Sequence, residues 1–216
     1  MNDPWFNWQY ISTNSETILA ATRQHVALTF WAVFIGLLIA LPLALLARRY
    51  PRTSLPILGV TGAIYTIPSL ALFAALVPFT GLRPVTVEIG LVGYTLLILV
   101  RNVLTGLTGV PEDVREAARG MGFGTLRMLV RVELPLALPA IVAGLRVATV
   151  STIALVTVGA LVGYGGLGQL ILEGLNTLYR TEIATASVLC VALALLADLA
   201  LLAVQRLLTP WQRRSA

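Results

Sequence analysis

Residues 26–47 form a run of 22 residues without one charged side chain. An α-helix needs about 20 apolar residues to cross the hydrocarbon core of a bilayer, so this run predicts a transmembrane helix. Charged residues make up only 12% of the 216-residue chain, whereas soluble domains spend about a quarter of their residues on charge. A water-soluble monomer is therefore not expected.

Four further apolar segments follow, covering residues 55–79, 85–100, 136–162 and 183–207. The segment 55–79 is rich in Gly, Pro, Ser, Thr and Tyr and is expected to pack against protein more than against lipid. The segment 85–100 is expected to continue as helix past Arg101 towards Leu107. The sequence thus predicts an all-α polytopic membrane protein with five transmembrane helices.

The arginines predict the orientation of these spans. All 15 basic residues are arginine, and eleven of them follow the first, third and fifth segments. Basic residues collect on the cytoplasmic side, which predicts an outside N-terminus and a cytoplasmic C-terminus in a multi-pass plasma-membrane protein. Residues 1–25 then form an extracytoplasmic or interfacial segment, residues 26–207 the membrane domain, and residues 208–216 a cytoplasmic tail. The formal charge of +5 is a topology signal, and no nucleic-acid partner is expected.

The sequence lacks the residues that several kinds of functional site require. Cys190 is the single cysteine and His25 the single histidine, so no disulfide and no zinc or iron–sulfur site is predicted. A phosphate-binding Gly-Lys-Ser/Thr loop requires lysine, which the sequence does not contain. We therefore expect neither a bound cofactor nor an ATPase activity.

The polar loop of residues 101–135 carries a distinct local pattern. Pro111 followed by Glu112 and Asp113 predicts a helix start, and the small apolar residues at 114, 117, 118 and 121 recur at helical spacing. Glycines at 120, 122 and 124 predict a left-handed turn before a return helix. Periodicity alone is equally compatible with an interfacial helix that lies on the membrane.

The same loop resembles a known motif. Its residues are Glu116-Ala117-Ala118, three residues, Gly122, nine residues, and Val132-Glu133-Leu134-Pro135. This pattern is similar to the EAA loop of ABC importer permeases. A more specific resemblance is to the permeases of osmoprotectant importers, which take glycine betaine, carnitine, choline or proline. It is found in residues 65–72, 101–102, 116–121, 132–139 and 163–168. Val92-Gly93-Tyr94 and Tyr164 depart mildly from that pattern and leave the exact solute open.

The resemblance implies a permease of the type I (MetI-like) importer fold that works by alternating access. It implies a second permease subunit, identical or related, two cytoplasmic ATPases that bind ATP and Mg, and an extracytoplasmic solute-binding protein. The implied ATPase-coupling residues are Glu116, Ala117, Ala118, Arg119, Gly122, Leu134 and Pro135. The alternatives are a permease for methionine or another small nutrient, and an ion-driven carrier, for which inverted repeats and acidic residues within spans would be expected.

Arg146 and Asp198 are the charged residues deepest in their segments. At the helical rise of about 1.5 Å per residue, Arg146 lies about 15 Å and Asp198 about 12 Å from the cytoplasmic boundary. These similar depths favour a salt bridge between them. Alternatively, Arg146 lines the pathway or extends to the interface.

Candidate pathway residues are the polar or kinking residues of the middle spans: Tyr65, Pro68, Ser69, Tyr94, Thr149, Ser151 and Thr152. Tyr65 and Tyr94 offer aromatic faces to a trimethylammonium group. Helix packing is the alternative role for each. The glycines of residues 163–168 predict tight turns on the outer side.

Overall fold

The computed structural model describes residues 4–210, and none of these residues forms a β-strand. The all-α prediction is confirmed. The helices are α1 (Trp8–Thr13), α2 (Ser15–Arg49), α3 (Pro51–Thr66), α4 (Ser69–Thr80), α5 (Pro84–Thr108), α6 (Glu112–Gly120), α7 (Thr125–Met128), α8 (Leu134–Val158), α9 (Leu167–Thr177) and α10 (Arg180–Leu208). A π-helical turn, Leu129–Glu133, joins α7 to α8, and a 3₁₀ turn, Gly159–Val162, follows α8.

Four helical stretches of the described chain are long and apolar enough to cross a membrane. They are α2, α5, the continuous stretch Thr125–Val162 and α10. The expected continuation of the third span past Arg101 is confirmed, since α5 ends at Thr108. Helix α9 was not predicted.

The first span begins earlier than its uncharged core. Helix α2 starts at Ser15 and has 35 residues, which corresponds to about 50 Å at the helical rise. A hydrocarbon core is about 30 Å thick, so the polar residues before position 26 continue the helix beyond it. The predicted boundary at residue 25 therefore lies inside a helix. Of the predicted tail 208–216, the part from residue 211 onward lies outside the described residues.

The second apolar segment differs from one straight span. Helices α3 and α4 are bent by 96° at the break between them. Ile67 is extended there, with φ −66° and ψ 130°, the conformation that a following proline favours. The predicted count of five spans holds if this bent pair crosses as one span.

The core of the bundle lies where α2, α5 and α8 meet. A cluster that includes Ala44, Leu99 and Ile141 joins the three helices. Close approach depends on small residues: a Cβ at Gly144 would lie 2.4 Å from the Asn102 Cβ, so α5 and α8 are in direct contact there.

The glycines of residues 163–168 form the tight turns that precede α9. Gly163 and Gly166 have positive φ angles of 94° and 53°. The Gly166 N–H donates to the Gln24 Oε1 at 3.1 Å, and a Cβ at Gly166 would lie 2.6 Å from the His25 Cβ. The turn is therefore fitted directly against α2.

Candidate functional site

Helix α6 projects from the loop between α5 and α8 and ends in a left-handed turn. It begins after Pro111, and the Asp113 Oδ1 accepts the Val114 N–H at 2.9 Å. Gly122 has φ +78°, and the Phe123 N–H returns to the Ala118 carbonyl at 3.1 Å. A helix followed by a glycine turn and a return helix is the local structure that the glycine spacing predicted.

The predicted coupling residues lie on different sides of α6. Ala118 is 2% exposed and packs inward, whereas Glu116, Ala117 and Arg119 are exposed. Arg119 also borders a pocket that α6 shares with α2 and α7. The apolar face expected from the periodicity is therefore only partly covered, and Met121 remains 68% exposed. Leu134 and Pro135 are half-buried at the start of α8.

Charged side chains brace α6 along its length. Glu112 accepts hydrogen bonds from Arg115 at 3.0 Å and from Arg119 at 2.9 Å. These two guanidinium groups hold the pKa of the exposed Glu112 below its usual value, so Glu112 stays ionised at neutral pH and loses these contacts as acid protonates it. The Arg115 Nη2 also donates to the Leu107 carbonyl at 2.7 Å, which ties α6 to the end of α5.

Sequence reasoning missed the most buried charge of this region, Glu133. Glu133 is the last residue of the π-helical turn, and its carboxylate is paired with both Nη atoms of Arg48. Glu133 and Arg48 are 85 residues apart, so no local pattern connects them. A charge between the apolar residues 132 and 134, together with the arginines directly after the first span, was the available signal.

Arg146 and Asp198 lie side by side. The Arg146 Nε lies 2.8 Å from the Asp198 Oδ1, and the Arg146 Nη2 lies 2.8 Å from the Asp198 Oδ2. This two-pronged geometry links α8 to α10 and matches the planar guanidinium to both carboxylate oxygens.

The structure divides the candidate pathway residues into two groups. Tyr65 and Tyr94 meet edge to face at 5.9 Å between ring centroids, beside the helix break that contains Pro68 and Ser69. The Tyr94 hydroxyl donates to the Ile67 carbonyl, which the bent helix leaves open.

The two candidate threonines of α8 lie apart from the tyrosine pair. Their hydroxyls donate one turn back within the helix, Thr149 to the Leu145 carbonyl and Thr152 to the Ala148 carbonyl, each at 2.7 Å. Thr149 lines an apolar groove of about 360 Å³ between α2, α8 and α10, while Thr152 is 1% exposed. No described contact joins these two residues to the tyrosine pair.

A bundle of membrane-crossing helices that presents a short, ionic, glycine-ended helix between two spans defines the membrane subunit of a transport system. Residues 16–214 match the family of binding-protein-dependent transport system inner membrane components, and the chain belongs to this family. The family resemblance inferred from the EAA-like loop is thus confirmed.

Relatives match the chain over nearly its full length. It is 36% identical over 208 residues to the carnitine transport permease protein OpuCB of Listeria monocytogenes, covering 96% of this chain and 95% of the relative. It is 37% identical over 206 residues to the glycine betaine/carnitine/choline transport system permease protein OpuCD of Bacillus subtilis, covering 95% and 90%.

Solved structures confirm the fold. A chain of the inward-facing MetNI methionine ABC transporter superposes with a TM-score of 0.77 at 25% identity, covering 89% of this chain and 96% of that chain. The predicted MetI-like permease architecture is therefore confirmed.

Proposed function

We propose that this chain is the permease of an ATP-binding-cassette importer that carries osmoprotectants of the glycine betaine, choline, carnitine or proline type. The observation that carries the proposal is the match to relatives named for carnitine and for glycine betaine, carnitine and choline, at 36% and 37% identity over nearly all of this chain. The methionine transporter chain is only 25% identical, so a methionine permease is the less favoured alternative.

The chemistry of the bent second span is compatible with a quaternary ammonium solute. Such a cation is attracted to the faces of aromatic rings, most strongly where water is excluded. Tyr65 and Tyr94 place two such rings together beside the break between α3 and α4. These two residues, with Pro68 and Ser69, are the preferred pathway residues of the proposal.

The energy source and the partners lie outside this chain. We assign ATP and Mg binding to two separate cytoplasmic ATPases, solute capture to an extracytoplasmic binding protein, and the second half of the pathway to another permease subunit. The exposed residues Glu116, Ala117 and Arg119, together with the turn at Gly122, form the surface offered to the ATPase. Leu134 and Pro135 carry its movement into α8.

The arginine distribution sets the orientation in this proposal. Eleven of fifteen arginines would lie on the cytoplasmic side, which puts α6 where a cytoplasmic ATPase meets it. The N-terminus is outside and the C-terminus inside, in the inner membrane of a prokaryote.

Uptake measurements test the proposal directly. Cells that lack their own osmoprotectant importers receive this permease with its ATPase and solute receptor, and take up labelled glycine betaine, choline, carnitine or proline. Uptake is expected to disappear when the ATPase is catalytically inactive and to persist when a protonophore collapses the proton gradient. Uptake of methionine alone would favour the alternative importer, and uptake without an active ATPase would favour an ion-driven carrier.

A further inference from the structure

Helix α6 is connected by the chain to only two of the spans. Residues 109–111 join it to α5, and residues 121–124 join it to α7 and so to α8. Helix α2 ends at Arg49 and continues into α3, far from α6 in sequence. A movement of α6 therefore reaches α2 either through the packing of α2 against α5 and α8 or through side chains that join α6 to α2 more directly.

The more direct contacts between α6 and α2 meet at Glu133. Glu133 is 4% exposed, and its carboxylate accepts hydrogen bonds from Arg48, in the last turn of α2. The Arg115 Nε of α6 lies 3.2 Å from the Glu133 Oε1. One buried carboxylate thus lies between a cation of α2 and a cation of α6.

Arg115 is itself held in place. It contacts Glu112 at 3.0 Å within α6 and the Leu107 carbonyl at 2.7 Å at the end of α5, and its side chain is only 15% exposed. Because Arg115 is fixed by these further contacts, Glu133 links Arg48 of α2 to a side chain that is anchored in α6 and at the end of α5.

Stability alone does not explain a charge at this position. Burying a carboxylate carries a large desolvation penalty, and an apolar side chain of similar volume often stabilises equally well. Val132 and Leu134, its sequence neighbours, are apolar. The two-pronged pairing with an arginine fixes direction as well as distance, and π-helical turns inside helices are frequent at functional sites.

We infer that Glu133 is a positioning residue that carries the movement of α6 to the first span, so that ATPase closure moves α2 together with α5 and α8. This inference rests on the proposed function, since it assigns a role within ATP-driven coupling. In this inference, α6 moves α5 and α8 through the chain, and it moves α2 through the Arg48–Glu133–Arg115 cluster.

The test compares Glu133→Gln with Asp113→Asn in the complete transporter in liposomes. Both variants remove one carboxylate charge from the same region, but Asp113 is exposed and bonds only to the neighbouring backbone. Labelled choline and glycine betaine uptake and ATP hydrolysis are measured together. Glu133→Gln is expected to lower the solute carried per ATP by about fivefold or more, the low end of a typical coupling between two sites, and Asp113→Asn is expected to leave it unchanged.

A distance measurement separates positioning from support of the fold. Spin labels replace the exposed Arg49, in the last turn of α2, and Gly120, at the end of α6, in a Cys190→Ser background. In the otherwise unchanged protein the separation should stay the same with and without ATP, because the two helices move together. In Glu133→Gln the distance distribution should broaden or change with ATP.

The possible results distinguish failure of this inference from failure of the proposed function. An unchanged solute-to-ATP ratio and an unchanged distance in Glu133→Gln would overturn the inference while leaving the proposed function intact. If Glu133→Gln does not assemble, Arg48→Lys, which keeps the charge but loses the guanidinium fork, decides by the same two measurements. If the unsubstituted transporter shows no ATP-dependent uptake of either solute, the proposed function fails.

Discussion

Replacing Gly122 by valine is expected to uncouple transport from ATP hydrolysis while leaving the permease in the membrane. Gly122 ends α6 with φ +78°, a conformation that L-residues avoid because Cβ approaches the following carbonyl oxygen. A Cβ at this position would meet no atom within 4 Å. The effect therefore comes from the backbone alone and leaves the packing of the spans untouched.

The magnitude follows from the backbone angle. A residue with a side chain in the left-handed region costs about 1–2 kcal/mol, and a β-branched one is a particular outlier there. One to two kcal/mol changes an equilibrium by a factor of about 5–30. If the chain leaves the left-handed region to relieve the strain, it loses the return bond from the Phe123 N–H to the Ala118 carbonyl at 3.1 Å. The surface offered to the ATPase then changes shape.

A matched control is two residues away. Gly124 is extended, with φ −71° and ψ 166°, and a Cβ there also meets nothing within 4 Å. Valine accepts extended backbone readily, so Gly124→Val should transport normally. Gly122→Asn should fall between Gly122→Val and the unsubstituted protein, because asparagine tolerates the left-handed region.

The assay is osmoprotectant uptake in cells, normalised to the amount of permease that co-purifies with its ATPase. Normal uptake by Gly122→Val, with the complex intact, would refute the reasoning. Equal losses in Gly122→Val and Gly124→Val would also refute it, because the backbone angle would then not be the cause.

Three further predictions address the membrane domain. Arg146→Asp and Asp198→Arg should each reduce the yield of assembled complex in detergent, and the double variant with the charges exchanged should recover it; failure to recover would contradict a role for the pair in assembly. Tyr94→Phe keeps the ring but leaves the carbonyl at the helix break unbonded, which should cost about 1–3 kcal/mol and lower the Tm; an unchanged Tm would show that this bond contributes nothing. Gly144→Ala should cost about 1–3 kcal/mol by overpacking the α5–α8 contact and lower the Tm, whereas Gly59→Ala, with open space around its Cβ, should not.

The glycine turn and the membrane spans could be predicted from the sequence because each depends on residues that are close together in the chain. The length of each apolar run is set by the thickness of the bilayer, and the left-handed turn needs only a residue without a Cβ. Helix α2 begins at Ser15, before the predicted span 26–47, since the polar residues 15–25 extend a helix whose apolar core alone defines the span.

The bend at Pro68 cannot be predicted from the neighbouring residues alone. Pro42 and Pro139 lie inside α2 and α8 without ending them, so proline by itself does not predict a break. What distinguishes Pro68 is a distant side chain, Tyr94, whose hydroxyl satisfies the exposed Ile67 carbonyl. The 96° angle between α3 and α4 therefore belongs to the tertiary structure.

By itself, the sequence determined an all-α membrane protein, the approximate limits of its apolar segments and the local shape of the loop around α6. These depend on run length, charge spacing and glycine, which act within a few residues. Only the tertiary structure brought Glu133 between Arg48 and Arg115, separated the α8 threonines from the tyrosine pair and bent the second apolar segment. Those features depend on which side chain from another helix satisfies a buried charge or an open carbonyl, and that choice is made by packing across the whole bundle.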